Sequence, residues 1–321
     1  MDIEKIIVFF IYCGFSAIES FKWISLDDSK SLRSTLPKAG ECGKIPLSSR
    51  IFGGSETLID EFPWTAMLVY ENRDLVKSTY CGGSLINTFF VLTAASCVDD
   101  NLNREMGWLF KEVRLGEWDI STPDDCEPNG KRAAFCAPPP ITRTLANKFV
   151  HPEFDIKKQS NNIALLQLMD RVEYTDFISP ICLPLEKGQD LLGYADATAE
   201  VTGWGKTQKA ASSPVKLKAN VEIRKLVECV DQMIRAGVEN SITYSSNQQA
   251  CAMGADTNAC KGDTGGPLMI RDTQNGKEAY YLIGIVSFGF DTKTCKTKGN
   301  PSIFTRVAPY LHWIKETISS T

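Results

Sequence analysis

The amino-acid sequence predicts an all-β fold. Short alternating or apolar runs, for example at 66–70, 89–93 and 280–286, are separated by turn-forming residues along most of the chain. The chain has 321 residues, of which 43% are hydrophobic and 23% are charged, so it can bury a sizeable core. These patterns leave both a β-barrel and a β-sandwich open.

The first 20 residues are predicted to be a cleaved signal peptide. The apolar run from Ile6 to Phe15 has the length of a signal-peptide core and is too short to span a bilayer. Small residues follow at Ser16, Ala17 and Ser20, although two acidic residues before the run depart from the usual basic start. A buried strand and a signal anchor are the alternatives. No other stretch is long and apolar enough for a membrane span, so we expect a secreted, extracellular protein.

The rest of the chain divides into a short leading segment and one folded domain. Residues 21–50 are polar and weakly patterned, which indicates a pro-segment or linker, and residues 51–321 form the domain. Two stretches within the domain have helical spacing, Lys225 to Ala236 and Val307 to Ile318. The second is predicted to be a C-terminal helix, and polar residues at 98–109 predict a long loop.

Charge and histidine content exclude two classes of function. The 35 basic and 39 acidic residues give a net charge of −4, so nothing indicates nucleic-acid binding. His151 and His312 are the only two histidines, which argues against a histidine-rich metal site.

The cysteines indicate an oxidising compartment. Of the 11 cysteines, Cys13 lies in the predicted signal peptide, and the other ten are an even number. No Cys-x-x-Cys pair occurs, so a zinc ribbon or a thioredoxin-like redox site is not expected. Ten cysteines fit five disulfides.

A series of short motifs runs through the chain in a fixed order. They are Arg50-Ile51-Phe52-Gly53-Gly54, Phe62-Pro63-Trp64, Tyr80-Cys81-Gly82-Gly83-Ser84-Leu85-Ile86, Val91-Leu92-Thr93-Ala94-Ala95-Ser96-Cys97, Asn162-Ile163-Ala164-Leu165-Leu166, Pro180-Ile181-Cys182-Leu183-Pro184, Thr202-Gly203-Trp204-Gly205, Cys260-Lys261-Gly262-Asp263-Thr264-Gly265-Gly266-Pro267-Leu268, Gly284-Ile285-Val286-Ser287-Phe288-Gly289 and Phe304-Thr305-Arg306-Val307. Together they closely resemble the trypsin/chymotrypsin-like serine proteases over residues 42–321. The resemblance implies two six-stranded antiparallel β-barrels, a C-terminal helix and an active cleft between the barrels.

The resemblance also implies how the cysteines pair. The pairs are Cys42–Cys182, Cys81–Cys97, Cys126–Cys136, Cys229–Cys251 and Cys260–Cys295. The bridge between Cys126 and Cys136 closes an inserted loop within the polar stretch 119–140, and it looks like that of arthropod clip-domain proteases. Residues 21–41 contain no cysteine, so the six-cysteine clip domain itself is not expected.

The three catalytic positions of the family are all altered in this sequence. Ser96 stands where the motif has the histidine base, Asn162 where it has the orienting aspartate, and Thr264 where it has the serine nucleophile. A hydroxyl is a weak nucleophile near neutral pH and needs a neighbouring base to take its proton. Because Ser96 cannot act as that base and Asn162 carries no charge, we expect no peptidase activity.

The parts of the family's site that survive are main-chain donors. The amides of Gly262 and Thr264 are implied to form an oxyanion hole. In this family such a hole together with substrate binding leaves only about 10³–10⁴-fold acceleration over water. The resemblance places neither His151 nor His312 at the cleft, so neither is expected to replace the base.

An activation site of the family's kind is indicated at the start of the domain. Cleavage after Arg50 would free the amino group of Ile51 to pair with Asp263, as the resemblance implies. We favour a proteolytic switch kept without catalysis, and the alternative is a relic that is never cut.

The specificity pocket implied by the resemblance is changed as well. Its positions are Asn258, Ser287, Gly289 and Ser302. Asn258 stands where trypsin-like enzymes carry an aspartate, and Ser302 stands where a glycine usually keeps the pocket open. The alternatives are a remodelled ligand groove and, as we favour, drift in an unused pocket.

No metal or cofactor is predicted, although one acidic stretch raises the question of calcium. Glu117, Asp119, Asp124, Asp125 and Glu127 lie where a calcium loop occurs in the family. Calcium takes six to eight oxygen ligands, and an acidic, solvated loop is the interpretation that we favour.

The sequence therefore favours a secreted, non-catalytic serine protease homologue that works by binding other secreted proteins. By resemblance, those partners are proteases or their zymogens in an extracellular cascade of immunity or melanisation. The alternative is a weak, unconventional hydrolase that uses Thr264. A purely structural or storage protein would not need the Arg50-Ile51 junction.

Overall fold

The computed structural model describes residues 35–45, 55–127, 135–185, 191–207, 210–235, 244–254, 259, 262–289 and 301–321. Outside these residues lie the whole predicted signal peptide with Cys13 and most of the predicted pro-segment with Arg50. Ile51, Asn258, Cys260 and Cys295 also lie outside them. Among the described residues, no helix is long and apolar enough to cross a membrane.

The first half of the domain forms a closed antiparallel barrel of six strands. The strands are β2 (Thr65–Asn72), β3 (Lys77–Leu85), β4 (Phe90–Thr93), β5 (Trp108–Leu115), β6 (Ile141–Val150) and β7 (Ala164–Leu168), after the short β1 (Ser55–Glu56). They close in the order β2-β3-β4-β7-β6-β5. Every residue of β4 and β7 is buried, which accounts for apolar residues at all positions of these strands except Thr93 and Gln167.

The second half forms a second six-stranded antiparallel barrel, so the predicted fold is confirmed. Its strands are β8 (Thr198–Gly203), β9 (Leu217–Arg224), β10 (Gln249–Gly254), β11 (Pro267–Gln274), β12 (Lys277–Gly289) and β13 (Pro301–Arg306). They close in the order β9-β10-β13-β12-β11-β8, and β8 pairs back to β9. The two barrels share a core, where Trp64 lies 5.6 Å, ring to ring, from Tyr280.

The chain enters the domain through the second barrel before it builds the first. Ser55 and Glu56 of β1 pair with Lys218 and Leu217 of β9. The earlier segment 35–45 also lies against this barrel, because Gly43 donates its N–H to Pro180 O and accepts from Tyr280 N.

The described helices agree with two predictions and correct a third. Helices α3 (Leu226–Arg235) and α4 (Leu311–Ser319) confirm the predicted helical stretches, although α4 begins after a 3-10 turn at Ala308–Tyr310. The predicted loop at 98–109 was wrong in part, because the short helices α1 (Ala95–Val98) and α2 (Asp100–Glu105) reach into it. The side chain of Asp99 caps α2 by accepting from Asn101 N and Leu102 N.

Four of the five implied disulfides are confirmed. They are Cys42–Cys182, Cys81–Cys97, Cys126–Cys136 and Cys229–Cys251. The bridge between Cys42 and Cys182 ties the segment 35–45 to the domain.

Candidate functional site

The candidate site lies where the two barrels meet. Gly82 of β3 donates its N–H to Thr264 O at 2.8 Å, which joins the first barrel to the loop before β11. Thr93 Oγ1 in turn donates to Gly82 O at 2.7 Å. Cys97 Sγ lies 3.5 Å from Thr264 O, so Ser96, its neighbour in the chain, is brought to the same place.

Asn162 connects both barrels at this point. Its side chain is buried, and its Oδ1 accepts from Ser96 N at 2.8 Å. Its Nδ2 donates to Ser287 Oγ at 2.8 Å. Because the main-chain N–H of Ser96 can only donate, the oxygen of the amide must face Ser96 and the nitrogen must face Ser287. Thr305 Oγ1 also donates to Asn162 O at 2.9 Å.

The loop from Gly262 to Gly266 presents two donors without an acceptor among the described residues. Gly265 N donates to Val286 O and Gly266 N donates to Asp263 O. Within the described ranges, the amides of Gly262 and Thr264 donate to no acceptor. Gly262 has a φ of 103°, a left-handed conformation that glycine adopts without strain.

The hydroxyls at the site are also unengaged. Ser96 and Thr264 are both half-buried, and in the part of the chain that the structure describes no hydrogen bond involves Ser96 Oγ or Thr264 Oγ1. The side chains at the three altered positions are therefore two hydroxyls and one amide. None of them can take a proton near neutral pH.

Both histidines belong to the C-terminal helix region and not to the cleft. The His151 ring lies 5.2 Å from that of Tyr310 and 5.1 Å from that of Trp313, and burial lowers its pKa. His312 is exposed on α4, where Nε2 lies 3.1 Å from Glu316 Oε1.

Asp263 lies behind the loop, against two glycines. Its Oδ1 accepts from Gly205 N at 2.9 Å. A Cβ atom on Gly203 or on Gly205 would lie 2.4 Å from that same oxygen, so only glycine leaves room for this carboxylate. The implied partner Ile51 and the scissile Arg50 lie outside the described residues, so the activation pair stays a prediction.

Two positions of the implied specificity pocket are engaged by neighbours within the described residues. Ser302 is buried, pairs with Gly289 across β12 and β13, and its Oγ lies 3.4 Å from Ala259 O. Ser287, a second pocket position, is occupied by its bond to Asn162. The fourth position, Asn258, lies outside the described residues.

The structure corrects in part the interpretation of the acidic stretch as a solvated loop. The carboxylate of Asp125 accepts from Trp118 N at 2.9 Å and from Asp119 N at 3.0 Å, and Glu117 pairs with Arg114 at 2.8 Å. Burial, and the neighbouring charge of Asp125, raise the pKa of Glu117. Glu117, Asp125 and Glu127 are buried, whereas Asp124 is exposed and Asp119 is half-buried, so the stretch is solvated only in part. In the described chain, no group of three or more acidic, histidine or cysteine side chains is arranged to hold a metal ion.

A buried lysine beside this loop was missed by the sequence analysis. Lys216 is 3% exposed, and burial lowers its pKa from 10.5 to about 8 against the opposing charges of Glu61, Asp125, Asp60 and Glu117. Two residues later, Lys218 is also buried and pairs with Glu61 at 2.5 Å. The signal in the sequence was the pair of lysines at alternate positions beside an apolar strand, a pattern that also fits an exposed strand face.

Comparisons with known proteins agree with this geometry. The trypsin family model matches residues 51–314. The chain is 42% identical over 296 residues to "Serine protease ea" of Drosophila melanogaster, covering 89% of this chain and 72% of that protein. It is 40% identical over 288 residues to "Melanization protease 1" of the same species, covering 88% and 69%. The solved structure of the Drosophila Grass clip serine protease of the Toll pathway superposes with a TM-score of 0.72 at 34% identity, covering 87% of this chain and 75% of that one.

Proposed function

The chain belongs to the trypsin family of serine proteases, and from that premise we propose that it is a member without peptidase activity that works by binding. One observation carries the proposal. The residue whose main chain bonds to Asn162 at the cleft is Ser96, and its hydroxyl cannot take the proton of Thr264.

Asn162 removes a second catalytic group, the carboxylate at the orienting position. In this family the orienting aspartate holds the histidine and stabilises its charged form, and its replacement by asparagine costs about 10⁴ in turnover. Here the amide has neither an imidazole to orient nor a charge to offer. Loss of the base, the orienter and the serine together leaves only binding and main-chain donors.

The partners in this proposal are other secreted proteins, proteases or their zymogens among them. The names of the relatives support a role beside a protease cascade, because they include a melanization protease and a clip serine protease of the Toll pathway. The four disulfides support an oxidising, extracellular location. We propose a regulator or cofactor of such a cascade.

A weak hydrolase that uses Thr264 is the second candidate. The amides of Gly262 and Thr264 favour it, because they have no acceptor within the described part of the chain and are the donors that a tetrahedral intermediate would need. Its deficit is the absence of a base at Ser96.

The test is covalent labelling of the cleaved protein. Chain cut after Arg50 is incubated with a serine-reactive phosphonate probe and, separately, with a broad peptide library. We expect no label on Thr264 and no turnover that follows the protein through purification. Label on Thr264 would favour the hydrolase.

The positive control is the triple variant Ser96→His, Asn162→Asp, Thr264→Ser. Its flanking motifs are those of the family, so we expect it to take the label slowly. Each single change should restore almost nothing, because triad members act as a unit. A labelled Thr264→Ser single variant would show that a base exists elsewhere.

A further inference from the structure

We propose that His151 is a pH-sensitive positioning residue, whose protonation opens a closed network of contacts and thereby loosens Asn162 in the cleft. The network consists of His151, Glu153, Asn161 and Tyr310, and we call it the His151 network. The proposal goes beyond the proposed function, because it concerns the pH range in which the cleft keeps its shape, with or without hydrolysis.

His151 accepts a hydrogen bond at a ring nitrogen that a proton would occupy. Glu153 donates its main-chain N–H to His151 Nδ1 at 3.3 Å. Because a main-chain N–H can only donate, Nδ1 carries no hydrogen, and the neutral ring holds its hydrogen on Nε2. A protonated imidazole donates from both nitrogens, so its Nδ1–H would face the N–H of Glu153. Protonation therefore removes the bond that closes the turn at 151–153.

Asn161 joins this turn to the segment before the C-terminal helix. It is buried, its Nδ2 donates to Glu153 O at 2.8 Å, and its Oδ1 accepts from the hydroxyl of Tyr310 at 2.9 Å. The ring of Tyr310 lies 5.2 Å from that of His151, and this contact closes the network. Asn161 has a φ of 50°, a left-handed conformation that costs energy for residues other than glycine, so its two side-chain bonds hold it there.

Asn162 follows Asn161 in the chain and is the residue that the network positions. Ile163 donates its N–H to Asn161 O at 2.8 Å, so these three residues form a tight turn with Asn162 at its centre. The side chain of Asn162 accepts from Ser96 N and donates to Ser287 Oγ, each at 2.8 Å. A change in the backbone of Asn161 therefore moves the amide that connects the two barrels.

Burial favours the neutral form of His151. It lowers the pKa of His151 below the usual 6.5, whereas the charge of Glu153 acts in the opposite direction. Tyr310 stays neutral, because burial raises its pKa against the opposing charge of Arg306. The other titratable side chains of the 3-10 turn and α4 are exposed, namely His312, Lys315 and Glu316. Since the unfolded chain binds this proton more readily, the closed network is stable above pH 6.5 and is lost as the pH falls through the lowered pKa of His151.

The experiment is an NMR titration of the full-length protein from about pH 7.5 to about pH 5, above the usual range of exposed carboxyl groups. Ring signals of His151 report its protonation. Main-chain amide signals of Asn161 and Ser96, and the side-chain amide of Asn162, report the network and the cleft. We expect all of them to shift with one midpoint, below pH 6.5. A His151 midpoint at or above 6.5, or cleft signals that stay constant while His151 titrates, would overturn the proposal.

His151→Asn and His312→Asn form a matched pair, because these are the two histidines of the chain. Asparagine at position 151 can accept from Glu153 N in a turn of the same kind, but it cannot be protonated. We expect His151→Asn to abolish the shift of the Ser96 amide. His312→Asn, at an exposed position of α4, should leave that shift and its midpoint unchanged. If a variant fails to fold, the midpoints in the natural chain decide.

Asn161→Gly tests whether the network connects His151 to the cleft. Glycine adopts a positive φ without side-chain bonds, so the backbone can keep its turn when His151 is protonated. We expect His151 to titrate in this variant and the Ser96 amide to stay constant, and a Ser96 shift that survives would overturn the proposed connection. Glu117 and Glu200, whose pKa values burial raises, remain in every variant. A shift that they cause would persist in His151→Asn and would also overturn the proposal.

Discussion

At the scale of single residues, Asn162 explains how the cleft keeps its shape without a catalytic charge. An amide can satisfy a donor and an acceptor at once, and here it accepts from Ser96 N and donates to Ser287 Oγ. A buried aspartate at the same position would accept from both and bring a charge without a cation. The asparagine is thus consistent with a site in which no imidazolium forms.

The first prediction concerns Asn162→Leu. The apolar side chain leaves the Ser96 N–H without its acceptor and the Ser287 hydroxyl without its donor. We expect the free energy of unfolding to fall by about 1–3 kcal/mol, measured by urea denaturation. Asn101→Leu, at an exposed position of α2, should change stability by less than about 0.5 kcal/mol. Equal losses in the two variants would contradict the role of the buried amide.

Lys216 makes a second prediction at this scale, about pH. Its pKa is lowered to about 8 in the folded chain, below its value of 10.5 when exposed. Between these two pH values the unfolded chain holds a proton that the folded chain has released, so this group makes stability rise with pH over that window. We expect a rise of about 3 kcal/mol from Lys216.

The measurement is denaturation at pH 7.5 to 10.5 with the variant Lys216→Met. The variant should lack the rise in the free energy of unfolding that Lys216 causes. The stability of the natural chain relative to the variant should therefore increase with pH. Lys225→Met, which removes an exposed lysine, is the control and should keep the natural profile. If Lys216→Met keeps the pH dependence of the natural chain, a group other than Lys216 causes the rise in stability.

At the scale of elements, the segment 35–45 behaves as part of the second barrel. Gly43 has a φ of 61° and lies so close to β12 that a Cβ atom would be 2.3 Å from Tyr280 O. The disulfide from Cys42 to Cys182 closes a span of 140 residues, for which chain entropy gives a stabilisation of about 4–5 kcal/mol. Covalent bond and close backbone contact thus hold the same short element.

Gly43→Ala tests this close contact, with Gly276→Ala as its match. Both glycines have a positive φ, but a Cβ atom on Gly276 would have no neighbour within 4 Å. Gly276→Ala should lower the free energy of unfolding by about 1 kcal/mol, because alanine is strained at a positive φ. Gly43→Ala should cost about 1–3 kcal/mol more, because backbone atoms of β12 must move. Thermal denaturation measures the loss of stability in both variants. Equal losses would contradict the close contact between Gly43 and β12.

At the scale of the whole molecule, cleavage after Arg50 is expected to change conformation and not activity. An ammonium freed at Ile51 would pair with the half-buried carboxylate of Asp263, and a hydrogen bond between two charged groups is stronger than one between neutral groups. We expect cleaved chain to melt higher, by about 2–4 °C for each kcal/mol gained, and to resist limited proteolysis near the cleft. Arg50→Gln, which a trypsin-like protease cannot cut, is the control. Identical melting before and after the cut would count against a switch.

The sequence by itself determined the family, the strand-rich fold and the identity of the three altered positions. Motifs such as those around Cys97 and Gly265 are local, so they could be read without the fold. Four disulfide pairs followed from the same resemblance. Cys260 and Cys295, like the activation junction, lie outside the described residues and stay predicted.

The tertiary structure alone decided how the altered residues are satisfied. The amide of Asn162 meets Ser287, 125 positions away in the chain, and the polarity of that bond depends on both partners. Burial of Glu117 and Lys216 likewise depends on two barrels that meet, since Asp119 pairs with Val215 across them. Sequence patterns reflect interactions between residues a few positions apart, whereas desolvation and hydrogen-bond direction depend on neighbours that only the folded chain brings together.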